Sequence, residues 1–286
     1  MDRTSLATPP PLEGGWHAPC SLALVNLPTV RLNGPVVALA TGGPADRRVL
    51  ETSLALAERS EPGRLVLVSG SAADIPRASD DRVRIEHVWA TRDLIAAAEA
   101  QALAAGAACL VTPSSPRVTR RFFRYAPCPL LAIPAQEPPD GPILVPVDFS
   151  RSSREAARFA VSLARPVLLL HVYRVPLGWH KLGWSYTEFA RRMEERCRQD
   201  MTALVAELDG GTVQTALELE GEPASAILRV AKTRRASLVV LASPRRTWAS
   251  AAVPGVAERI AMNAEVPVWI LRDARPMTFL EAIAKG

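Results

Sequence analysis

The chain repeats itself, and that restricts its fold more than any other feature of the sequence. Gly34-Pro35-Val36-Val37-Ala38-Leu39-Ala40 lines up with Gly141-Pro142-Ile143-Leu144-Val145-Pro146-Val147, and the match continues without a gap at an offset of 107 residues to Ala57 and Ala164. Further on, Ala108-Cys109-Leu110-Val111 matches Ala236-Ser237-Leu238-Val239, and Ser115-Pro116-Arg117 recurs as Ser243-Pro244-Arg245. Pro129–Ile133 then matches Pro267–Leu271. Matches that keep their order imply one structural unit copied in tandem. The length of 286 residues agrees, since a domain takes roughly 100–200. We therefore expect a first domain over 34–135, a second over 141–273, and Pro134–Asp140 (PAQEPPD) as the linker. Residues 1–33 have no repeat partner; Pro9-Pro10-Pro11 and Gly14-Gly15 read as a poorly defined arm, with one short strand at Leu22–Leu27. Residues 274–286 form a tail in which Met277–Ala284 allows an amphipathic turn or two.

Each copy alternates strands and helices. In the second, Ile143–Val147 and Val167–Val172 are short continuous apolar runs, the pattern of strands buried on both faces. Between them Ala156, Ala157, Ala160, Val161 and Ala164 share one helical face. A longer helix follows, with Phe189, Met193, Cys197, Met201, Leu204 and Leu208 recurring every three or four residues. Strand Val213–Leu219, helix Pro223–Lys232, strand Leu238–Leu241, helix Val256–Asn263 and strand Val268–Leu271 complete the copy. Alternation of this kind predicts a parallel sheet with right-handed crossovers, an α/β fold. The first copy follows the same plan in reduced form, with the turn-rich Ser69–Asp81 in place of the long helix.

Composition narrows the class. Apolar residues make up 48% and charged residues 22%, which suits a buried core and excludes a disordered, coiled-coil or collagen-like chain. No apolar run approaches the ~20 residues that span a bilayer, and the N-terminus shows no secretory pattern. Cys20, Cys109, Cys128 and Cys197 lie far apart, which fits neither a zinc site nor a disulfide framework and suits a reducing cytoplasm. The net charge of +5 is spread over both copies, so it predicts no nucleic-acid surface. The run Arg117–Tyr125 interleaves basic and aromatic residues, yet at helical spacing Val118, Phe122 and Tyr125 share a face assigned to the core.

The motifs carry a family resemblance. Ile143-Leu144-Val145-Pro146-Val147-Asp148-Phe149-Ser150 resembles the first strand and loop of universal stress protein domains, and Leu169-Leu170-His171-Val172 resembles their second strand. Gly221-Glu222-Pro223 resembles their Gly-x-Pro helix start, and Val256–Ile260 to Pro267 their last helix and strand. The resemblance covers nearly all of 141–273 and is weaker over 34–135. It implies two tandem five-stranded parallel-sheet domains, Rossmann-like and adenine nucleotide alpha hydrolase-like. It also implies pairing through the last strands, so that Pro129–Ile133 meets Pro267–Leu271 in an internal pseudo-dimer.

In part of that family ATP binds at the carboxyl ends of the strands, where strand order reverses. A carboxylate after the first strand faces the nucleoside, and a Gly-x2-Gly-x9-Gly-Ser/Thr loop wraps the phosphates. The resemblance places Val147, Asp148, Val172, Ala242, Arg245, Gly255 and Val256 at such a cleft in the second copy. Ala242 and Arg245 stand where the first two glycines would, and Pro254-Gly255 replaces the Gly-Ser pair. Proline donates no N–H, and arginine disfavours positive φ. In the first copy Thr41 occupies the aspartate position, and Pro116 to Pro129 is ten residues shorter than Pro244 to Pro267.

Each candidate carries two readings. Asp148 is a ribose or base ligand, or it caps a helix start with Ser150 and Ser152. Arg245 and Arg246 clamp phosphates, or form a solvated basic loop. Trp179 and Trp184 are an aromatic lid or packing at the sheet edge. His171 reads as a core histidine. No nucleophile elbow, His-Glu-x-x-His pair or metal-ligand cluster is present in the sequence. The expectation is a non-catalytic, cytoplasmic stress-response protein that acts through a protein partner, with a homodimer allowed and with no membrane, nucleic acid, cofactor or metal. The alternative is an ATP-binding module or weak ATPase using the second copy only.

Overall fold

The computed structural model describes residues 32–70, 83–175, 185–219, 221–243 and 255–272. The proposed strand at Leu22–Leu27, the connection through 71–82, Trp179 and Trp184, Arg245 and Arg246 with Pro254, and the turns at Met277–Ala284 lie outside them.

The first half contains β1 (Leu32–Asn33), β2 (Val36–Ala40), α1 (Asp46–Ala57), β3 (Ser60–Glu61), β4 (Arg64–Ser69) and β5 (Arg84–Trp89). It continues with α2 (Leu94–Ala104), β6 (Cys109–Pro113), α3 (Pro116–Tyr125) and β7 (Leu130–Ile133). The second half contains β8 (Ile143–Pro146), α4 (Arg151–Ser162), β9 (Val167–Tyr173), α5 (Tyr186–Ala206) and β10 (Val213–Leu219). It ends with α6 (Pro223–Thr233), β11 (Leu238–Ala242), α7 (Val256–Asn263) and β12 (Val268–Leu271).

Ten strands form one sheet in the order β10-β9-β8-β11-β12-β7-β6-β2-β4-β5. Each half contributes five parallel strands, and the halves meet at β12 and β7, the only antiparallel pair in that sheet among the described residues. There Val268 registers with Ala132, Trp269 with Leu131 and Ile270 with Leu130. The last strands of the two halves therefore pair as the resemblance implies.

Two apolar layers cover the sheet. Val145, Val147, Leu169, Val240 and Trp269 pack on one face with Val49, Ala156 and Met201 from α1, α4 and α5. Leu144, Leu170, Val239 and Ile270 pack on the other with Ala98, Phe122, Ile227 and Ile260 from α2, α3, α6 and α7. The strands of β2, β6, β7, β8 and β11 are buried on both faces, which explains their unbroken apolar runs.

The structure corrects the repeat register by one residue. Ala108 N–H donates to Pro35 O as Ser237 N–H does to Pro142 O, and Ser114 N–H donates to Ile133 O as Ser243 N–H does to Leu271 O. Ser237 is thus the counterpart of Ala108, and Ser243 of Ser114. The first half is nine residues shorter between those points, not ten. The face of α3 also differs from expectation. Val118, Phe122 and Phe123 are buried, whereas Tyr125 is 64% exposed with the Arg121 guanidinium 5.6 Å above its ring. Thr119 and Ala126 are buried as well, so the inward stripe is centred one step away from Tyr125.

Candidate functional site

Strand order reverses beside β8 in the second half, between β9 and β11. The β8–β9 ladder runs from Ile143 to Pro146, while the β8–β11 ladder registers only Ile143 with Leu238 and Leu144 with Val239. Beyond that point no further pair registers between β8 and β11, and their carboxyl ends mark the position where open α/β sheets take ligands in a crevice. Val147 and Asp148 follow β8 on one side, and Ala242 ends β11 on the other.

The turn after β8 is built from its own hydrogen bonds. Phe149 adopts a positive φ of 63° and packs its ring 4.5 Å from His171. The Asp148 carboxylate accepts the Ser150 N–H at 3.0 Å, and Ser150 in turn caps α4 by accepting the Ser153 N–H at 3.3 Å. Arg154 donates to the Phe149 carbonyl at 3.2 Å. Partial burial pushes the Asp148 carboxyl up, and hydrogen bonds from Ser150 and Ser153 outweigh it, leaving the group below the usual aspartate range. Asp148 is nevertheless exposed past the carboxyl end of β8. The capping role is thus present in the structure, and an ionised carboxylate remains available beside it.

A folded-state pKa below the unfolded one adds stability that is present above the ordinary aspartate value of ~3.9 and is lost as pH falls through the folded value. Asp148→Asn is therefore expected to melt closer to the native chain at pH 3 than at pH 6. Thermal melts at the two values measure this, and an equal gap at both would show that the carboxylate does not hold the turn.

The other candidates divide. Val147 is buried in the layer beneath α4. Val172 packs on the opposite face, and β9 runs one residue past it to Tyr173. His171 donates from Nδ1 to the Val147 carbonyl at 2.7 Å, the satisfied structural role expected for it. Gly255 precedes α7 without a side-chain cap, and Val256 opens that helix on the surface. Val147 and Asp148 therefore follow β8 while Ala242 ends the neighbouring β11, Val172 packs on the face opposite Val147, and Arg245 lies outside the described residues.

Two features escaped the sequence reading. In the first half Asp46 turns back onto the loop after β2, accepting the N–H groups of Gly42 at 2.6 Å and Gly43 at 3.2 Å. A carboxylate of the chain itself thus occupies the anion-binding concavity that Gly42, with φ of 82°, creates. An acidic residue three places after a Thr-Gly-Gly turn was the available signal. In the second half Glu222 caps α6, accepting N–H groups of Ala224 and Ser225, and pairs with Arg259 of α7 at 2.7 Å. Hydrogen bonds from Ser225 chiefly hold its carboxyl below the ordinary glutamate range. Its place before Pro223 at the first helical position was legible as a cap.

Residues 141–272 match the family model described as the universal stress protein family. The second half is thus similar to the universal stress protein family. A universal stress protein of Methanocaldococcus jannaschii is 29% identical over 141 residues, covering 46% of this chain and 82% of that one. A solved structure from Pseudomonas aeruginosa, assigned to the universal stress proteins, covers 88% of this chain and 98% of its own at 19% identity, with a TM-score of 0.61. A universal stress protein of Archaeoglobus fulgidus covers 82% of this chain and 96% of its own at 15% identity, with a TM-score of 0.51. At such identities the likeness is one of fold, and it extends beyond the matched family segment. Among the described residues no helix is long and apolar enough to cross a membrane, and no cluster of His, Cys, Asp and Glu is placed to hold a metal ion.

Proposed function

We propose that this protein is a non-catalytic regulator that acts in the cytoplasm through a protein partner, as two universal-stress domains over 34–135 and 141–273. The observation that carries the reading is that the chain's own groups take up hydrogen-bonding partners at both sites. In the first half β6 ends at Pro113 and α3 begins at Pro116, so no phosphate loop separates them, and Asp46 holds the glycine N–H groups. In the second half the Asp148 carboxylate is engaged by the Ser150 N–H. Ala242 at the end of β11 and Arg245 beyond it stand at the glycine positions that the resemblance implies, and Pro254 stands where an N–H donor would.

A second reading is favoured by the carboxyl ends of β8 and β11 themselves. Asp148 stands ionised and exposed past the β8–β11 pairing, and the N-terminus of α7 has no side chain of its own to cap it. On this reading the second half alone takes ATP. Calorimetric titration with ATP and magnesium separates the two. The regulator reading expects no binding tighter than ~100 µM. Tighter binding that Asp148→Ala abolishes would overturn it in favour of a nucleotide module.

A further inference from the structure

The junction between the halves is a pseudo-twofold, and its axis can be located from the hydrogen bonds. Leu131 and Trp269 occupy equivalent places in their halves, 138 residues apart, and register directly opposite each other. The helices before those strands keep the same offset, since Ala126 N–H donates to Phe122 O as Ala264 N–H does to Ile260 O, both at 2.9 Å. By that offset Arg120 of α3 is the counterpart of Glu258 of α7. These two counterparts face one another across the junction, with Arg120 Nε 3.8 Å from Glu258 Oε1. The Glu258 side chain is 1% exposed and that of Arg120 54%.

A residue that meets its own counterpart lies on the axis, so the same position would meet itself in any symmetric dimer. A pair of first halves would set Arg120 against Arg120, and a pair of second halves would set Glu258 against a second buried Glu258. Like charges so placed are a repulsive element against the wrong partner. Burial strengthens the penalty, because a desolvated carboxylate tolerates no second carboxylate beside it.

A second asymmetry acts in the same direction. Arg272, just past β12, reaches across and donates to the carbonyls of Phe122, at 2.8 Å, and Phe123. Its guanidinium also lies 5.5 Å from the Phe123 ring. Those carbonyls belong to the last turn of α3, where a cation complements the helix end. The counterpart of Arg272 in the first half is Pro134, which has no donor to offer. The second half therefore caps a helix that another first half would leave uncapped.

We infer that the junction face is coded for the other half of the same chain, and that Arg120, Glu258 and Arg272 reject a second copy of either half in its place. Any association between chains then uses another surface.

Charge exchange in the full chain tests this. Arg120→Glu and Glu258→Arg are each expected to lower the melting temperature by roughly 5 °C. The double variant R120E/E258R is expected to recover more than half of that loss. The two single variants, unfolded and refolded as a mixture, are expected to yield a two-chain species by light scattering. Exchange of halves between them matches charge at both junctions, whereas either variant refolded alone stays mismatched in every arrangement. Should the reversals not fold, Arg120→Gln and Glu258→Gln carry the same cycle, with the double variant losing less than the two singles together. A double variant that melts no higher than the weaker single, or a mixture with no more two-chain species than its separate components, overturns the inference.

Discussion

Gly141→Ala is expected to lower stability by about 3 kcal/mol, at the upper end of what overpacking costs. A Cβ at this position would stand 2.0 Å from the Arg235 carbonyl oxygen and 2.9 Å from its carbon, both backbone atoms with no flexible end to move aside. The turn that presses on Gly141 is itself constrained, because Arg235 holds a positive φ of 51° between α6 and β11. Ser237 also ties the two segments by donating its hydroxyl to the Gly141 carbonyl at 2.8 Å. Relief of the clash must therefore separate β8 from β11, the pair whose carboxyl ends mark the candidate site. Gly43→Ala is the control, since its Cβ would meet only the Thr41 hydroxyl at 3.4 Å, and a change within about 0.5 kcal/mol is expected there. Urea unfolding of both variants measures the difference. Equal midpoints would show that the β8–β11 junction yields easily.

The repeat, the strand–helix alternation and most element limits in the second half are legible in the sequence because each rests on local chemistry. Helix α6 begins at Pro223 and strands β10 and β12 run over the residues that their apolar pattern marks. The register between copies is less legible, and the reason is physical. Strands β6 and β11 are buried on both faces, so they carry no alternation of apolar and polar residues to fix their phase. Ala108-Cys109-Leu110-Val111 therefore matches its counterpart equally well one residue out of place, and only the bonds from Ala108 and Ser237 to the neighbouring strand decide. Tyr125 shows the converse limit. Its spacing from Val118 suits a core position, but Phe122 and Phe123 together turn the inward stripe away from it.

The candidate site follows the same division. Asp148 is locatable because it follows a recognisable strand, whereas its hydrogen bond to Ser150 depends on the positive φ of Phe149, which no side-chain pattern announces. Asp46 is harder still. Its role comes from Gly42 and Gly43 presenting two N–H groups to one oxygen, a backbone arrangement that the spacing of Asp46 from the Thr-Gly-Gly turn allows but does not specify. The pairing of Arg120 with Glu258 needs both the corrected offset and the antiparallel junction before the two residues are seen as counterparts.

Trp269→Ala is expected to lower stability by about 3–5 kcal/mol, a shift in melting temperature on the order of 10 °C. Trp269 is the largest fully buried side chain among the described residues, and it lies on the axis opposite Leu131. Its ring meets Phe159 of α4 edge-on with centroids 4.9 Å apart, so the loss opens a cavity between the sheet and the helix that follows the Asp148 turn. One unfavourable contribution is removed at the same time, because the indole Nε1 is buried with no hydrogen-bond partner among the described residues. Trp269→Phe isolates that contribution: it keeps an aromatic ring, deletes the donor, and is expected to cost less than half of the alanine change. The position also joins the halves, since β12 and β7 are the strands through which one sheet becomes continuous. Calorimetry should therefore show a single transition for the native chain and a broadened or divided one for Trp269→Ala. A sharp single transition at the native temperature would mean that the junction does not couple the halves.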